Sequence, residues 1–176
     1  MIRKILPSAV AMLLLAAPAL GASARYPDLS VTPGRARSDV TVQQLCATDW
    51  SATERPISSA MRRDVLAEYN LTGNDDPRCK TDGSTKCQID HLIARKLGGA
   101  ETETNLWPQP LAAKWGMLAK DKLEDCMHAR VCAKLASNGA DAATQLLHLY
   151  QHDLTADWIA AYRNVIGDQT ASCRSL

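Results

Sequence analysis

The run CQIDHLIARKLGGAETETNLWPQP, residues 87–110, gathers side chains able to do chemistry. Asp90 and His91 are neighbours, so on a strand they leave opposite faces, and at a strand end or bulge they diverge. One carboxylate is then free for a cation and one imidazole for a water. Asn105, on the return segment, suits a hydrogen bond to the backbone or to His91. Phosphodiester hydrolysis needs this division of labour: a divalent cation offsets phosphate charge while a neutral histidine takes a proton from attacking water. Downstream, Asp121, Glu124 and His128 share one face of a helix and are candidate metal ligands alongside Asp90. A solvated helix face is the competing reading of the same three residues. Arg95, Lys96 and Lys120 are candidate phosphate contacts, with Lys114 and Lys122 near them. The oxygen-rich ligand set suits Mg²⁺ or Mn²⁺ better than structural zinc.

The elements that must position these groups follow from periodicity and punctuation. CQIDHLIA reads as a strand, Gly98-Gly99 as a turn and ETNLW as a short returning element. Upstream, DVTVQQLC alternates and reads as a short strand. SATE, residues 51–54, has capping-box spacing interrupted by Pro56, so Ser58 or Ser59 is the better cap for a helix with Met61, Val65, Leu66 and Tyr69 on one face. After Pro110 comes a long helical pattern with Leu118, Leu123, Met127 and Val131 as its apolar stripe, broken at Gly139. Two more helices follow, the last with Thr155 as its cap and Gly167 as its stop. Phe is absent, so the four tryptophans must supply much of the large aromatic packing. The fold class expected is α+β.

The first residues have the form of an export signal: Arg3 and Lys4, an apolar stretch, then Ala22 and Ala24 before a cut. The expected organisation is a signal peptide over 1–24, an extended arm over 25–44 and a single domain over 45–176, secreted or periplasmic, with no membrane span after cleavage. Removing Arg3 and Lys4 from 20 basic residues leaves 18 against 19 acidic ones, a net charge of −1. That balance excludes holding nucleic acid by bulk charge alone. All six cysteines lie beyond the signal, and an even count in an exported chain argues for disulfides. Cys79 and Cys87 flank a turn-like stretch and suit a local staple; Cys126, Cys132 or Cys173 suit a tie between the last helices or to Cys46. No C-x-x-C occurs, which argues against a zinc knuckle or a thioredoxin-like motif.

Asp90-His91, Leu97-Gly98-Gly99 and Asn105-Leu106-Trp107-Pro108, followed by Lys120-Asp121-Lys122-Leu123-Glu124, His128 and Val131-Cys132, resemble the HNH endonuclease family with its ββα-metal motif. The resemblance implies an HNH-like ββα-metal core embedded in helices and stabilised by disulfides. It implies His91 as general base, Asp90 as metal ligand and Asn105 as the residue orienting the loop and His91. The family's final helix ligand is missing, with Asp121 the first replacement candidate, Glu124 the next and His128 a third. The activity expected is metal-dependent endonuclease cleavage of DNA, with RNA as a second substrate, at low sequence specificity. The alternative is a catalytically inactive exported binding or structural module. A protein partner is not readable from the chain.

Overall fold

The computed structural model describes residues 26–50, 52, 57–81, 83–168 and 173. The signal peptide and the SATE stretch fall largely outside them. Two short helices, α1 (Val42–Ala47) and α2 (Ser59–Glu68), precede a hairpin of β1 (Cys87–His91) and β2 (Leu106–Pro110). A long helical segment, α3 (Met117–Val165), is the last element among the described residues. Among the described residues the molecule is α+β, with one two-stranded sheet and three disulfides.

The DVTVQQLC stretch is helix rather than strand. Thr41 and Gln44 form a capping box, the Thr41 side chain accepting from Gln44 N and the Gln44 side chain from Thr41 N. Such caps contribute about 1 kcal/mol, enough to outweigh weak alternation over a few residues. Val42 and Leu45 then point into the core. In α2, Ser58 is the cap, accepting from Met61 N. Its Val65 packs on Ile89 and Leu106 with Met61, Leu66 and Tyr69 around them.

Strands β1 and β2 pair antiparallel, with Ile89 opposite Pro108 and Asp90 opposite Trp107. Their connection turns through two 3₁₀ turns, Arg95–Leu97 and Glu103–Asn105. Gly99 is required there: a Cβ would lie 1.7 Å from the Ile93 carbonyl oxygen. The preceding arm runs against this connection. Gly34 N donates to Thr104 O, Arg37 N to Gly98 O and Thr32 Oγ1 to Leu106 O, while Ala36 bridges Gly99.

Helix α3 is broken at Gly139 (φ 82°) and at Asp157, giving segments 117–138, 140–156 and 158–165. The last segment is capped by Asp157, whose Oδ1 accepts from Ile159 N and Ala160 N, and not by Thr155. Leu123, Met127 and Val131 enter the main core with Leu147, Trp158 and Tyr162, whereas Leu118 is exposed. Trp115 meets Trp158 and Tyr162 edge-on. Cys46–Cys132 ties α1 to α3 across 86 residues, while Cys79–Cys87 closes only 8. Chain entropy puts the first at roughly 4–5 kcal/mol and the second at roughly 2–3 kcal/mol. Cys126–Cys173 ties the chain's last described residue to α3.

Candidate functional site

The end of β1 and the first turns of α3 meet at Lys120. This side chain is fully buried, and its ammonium donates to three acceptors: Asp90 Oδ2 at 3.1 Å, the His91 carbonyl and Glu124 Oε1. An ammonium has three N–H donors, so the set is complete. Lys120 and Glu124 are one helical turn apart, which lets both bend toward Asp90. Burial opposes the Lys120 charge, but Asp90 and Glu124 outweigh it and hold its pKa above the ordinary lysine range. Burial pushes the Glu124 carboxyl up to about 8, with Lys120 countering the rise. Asp121 is pushed up to about 6 by burial and by the Asp90 charge. Among the described residues the Asp121 carboxyl has no side-chain hydrogen bond or salt bridge, its backbone being part of the α3 helix.

Beside this cluster lies a cleft of about 540 Å³. Thr48, Asp49 and Trp50, which follow α1, form one wall; Asp90, His91, Asp121, Glu124, Asp125 and His128 form the other. His91 is buried, its Nε2 has no hydrogen-bond partner among the described residues, and burial lowers its pKa, which favours the neutral ring. Arg95 lies over the Trp50 ring at 5.8 Å, and Lys96 pairs with Asp125.

The remaining residues singled out in sequence are placed as follows. The Asn105 amide makes its hydrogen bonds elsewhere than to His91: its Oδ1 accepts from Ile93 N (3.0 Å) and Arg35 N (3.2 Å), and its Nδ2 donates to Ile93 O (3.0 Å) and Ala100 O (2.8 Å). His128 contacts Leu45 O at 3.1 Å and Cys132 Sγ at 3.5 Å. Lys120, expected at a phosphate, is sealed inside. Trp107 is core, 1% exposed. Sequence reasoning missed the internal role of Lys120, although the Lys120/Glu124 spacing was there to read. It also missed Trp50 as a cleft wall.

No protein-family profile, curated protein or solved structure matches the chain. The HNH resemblance therefore has no family support. The donor set does not fit a metal centre. Among the described residues, Cys46, His128 and Cys132 are the group whose ligand atoms all lie within 4.8 Å of one another. Two of those three are bonded to each other as a disulfide and so are not thiolate ligands. The carboxyl groups of Asp90 and Glu124 are turned onto the Lys120 ammonium, a cation the chain supplies itself. These findings overturn the expected ββα-metal core, the Mg²⁺ or Mn²⁺ cofactor, the metal-dependent endonuclease activity and a nucleic-acid substrate held through a metal. The fold is corrected to an α+β domain with a two-stranded sheet, helices and three disulfides. Among the described residues no helix is long and apolar enough to cross a membrane.

Proposed function

We propose that this chain is an exported, non-catalytic binding module, with the cleft between the Trp50 wall and the end of β1 as its ligand site. The observation that carries this reading is the Lys120 ammonium, whose donors are all met by Asp90, His91 O and Glu124. A hydrolytic centre needs an open position where a reacting group gains charge stabilisation. Here that position is filled by a side chain of the fold. Three disulfides suit an oxidising compartment, in keeping with the signal-like first residues. The polar groups left over, Asp121 and the His91 ring, face a cleft of small-ligand size.

Isothermal titration with Mg²⁺ and Mn²⁺, combined with a plasmid-nicking assay, tests the reading. A folded, oxidised protein that takes up neither ion and leaves the plasmid intact supports it. Stoichiometric ion binding that disappears in Asp90→Ala overturns it.

A further inference from the structure

The three disulfides are not equivalent. Cys79 and Cys87 are both buried, so neither sulfur is open to attack. Cys126 lies in the apolar core, so attack on its exposed partner Cys173 would leave a thiolate there, and burying an uncompensated anion is costly. Cys46 and Cys132 are both half-buried. His128 Nε2 stands 3.5 Å from Cys132 Sγ and 3.1 Å from Leu45 O. A carbonyl oxygen only accepts, so Nε2 carries the hydrogen. That N–H is also within reach of the Cys132 sulfur. Trp50 Nε1 donates to the same Leu45 carbonyl at 2.9 Å, so the tie between α1 and α3 also sets the cleft wall.

We propose that Cys46–Cys132 is a site of thiol–disulfide exchange with an external thiol. The thiolate attacks Cys46 Sγ; the Cys46–Cys132 bond breaks, and its electron pair goes to Cys132 Sγ, stabilised by the His128 N–H. The product is a mixed disulfide on Cys46 and a thiolate on Cys132 that takes up a proton. A second thiol then attacks the mixed disulfide at the small-molecule sulfur, leaving Cys46 reduced and releasing the oxidised thiol. Two thiols are oxidised and one protein disulfide is reduced. Cys132 is the leaving group because the hydrogen-bond donor stands beside it. The absence of C-x-x-C makes this chain the substrate of such an exchange, not a thioredoxin-type catalyst. Opening the bond removes the covalent anchor of α1, the helix that leads into Thr48, Asp49 and Trp50. That consequence for ligand binding rests on the function proposed above; the exchange does not.

The experiment treats the oxidised full chain with graded reduced glutathione, traps thiols with N-ethylmaleimide and maps the products by peptide mass spectrometry. Expected is opening of Cys46–Cys132 before the other two, with glutathione on Cys46. Dithiothreitol in a parallel arm should open the same bond without leaving an adduct, separating a dithiol source from a monothiol one. His128→Ala should slow opening by about tenfold, and His128→Gln, which keeps an N–H donor, should restore much of the rate. First opening at Cys79–Cys87 or Cys126–Cys173, or an adduct on Cys132, overturns the proposal in the parent protein without reference to any variant. Mg²⁺ uptake by the oxidised protein would remove the binding-module reading and leave the exchange standing; opening at another disulfide would do the reverse.

Discussion

Asn105 and His91 are buried polar side chains of the same hairpin, yet their surroundings differ completely. The Asn105 amide uses both oxygen and nitrogen, twice each, to fasten the β1–β2 connection to itself and to the arm. His91 has a ring nitrogen with no partner among the described residues and lines a cleft that also holds an unpaired carboxylate, Asp121. A buried polar group with all its bonds made specifies a fold. One left unpaired has a free-energy cost that a ligand or water can relieve. The Lys120 cluster belongs to the first kind, although its residue types suggest the second.

The comparison can be broken from the satisfied side first. Lys120→Ala removes the cation from the half-buried Asp90 carboxylate and strands the buried Glu124 carboxyl, and should cost about 3–5 kcal/mol, read by urea unfolding. A loss under about 1 kcal/mol would mean the ammonium is not the keystone of the cluster. Asn105→Ala strands four backbone groups and should cost about 3 kcal/mol. An equally stable Asn105→Ala protein would remove the contrast with His91. The two effects should add, because the sites share no hydrogen-bond partner.

The pH dependence sharpens the comparison with a smaller effect. Glu124 binds its proton more tightly folded than unfolded. Its contribution is therefore complete below its unfolded pKa, near 4.5, and is lost as pH rises toward about 8. His91 works in the opposite sense, since its lowered pKa loses stability only as pH falls below its ordinary value of 6.5. The range from pH 7 to pH 8.5 isolates Glu124. There the melting temperature should fall by a few degrees in the parent and stay level in Glu124→Gln. A parallel fall in both proteins would assign the slope elsewhere. The smallest effect belongs to the cleft: Asp121→Asn removes a carboxylate without a partner and should change stability at pH 7 by about 1 kcal/mol or less, in the stabilising direction. A clear loss of stability would show that Asp121 is tied into the fold.

Much of the framework was legible, because caps and breakers act locally. Ser58, the Gly98-Gly99 turn and the break at Gly139 need only their neighbours to be understood. α1 was misread because alternation over a few residues competes poorly with a capping box, and the last segment because Asp157, not Thr155, reaches the free N–H groups. The site was less legible. The spacing of Lys120, Asp121, Glu124 and His128 puts them on neighbouring faces, but spacing does not say which face turns inward. Lys120 and Glu124 go in, and Asp125 stays exposed. Nor does spacing tell a ligand cysteine from a bonded one; the pairing of Cys46 with Cys132 is a property of tertiary packing. The resemblance to a metal-dependent family rested on residue order, which does not record where a lysine ends up.

The prolines of β2 have a consequence for the life of the chain before its disulfides form. Pro108 and Pro110 stand opposite Ile89 and Cys87, while the pairs on either side of Pro108, Asp90 with Trp107 and Gln88 with Gln109, alternate with them along the ladder. Leu106 shares the prolines' alternation, and its carbonyl already accepts from Thr32. The nitrogens at 108 and 110 therefore face the outer margin of the hairpin, and neither carries a hydrogen. A second copy approaching that margin finds no donors at two successive outward positions, so the strand makes a poor template for cross-chain assembly while the chain is still unlinked and least protected.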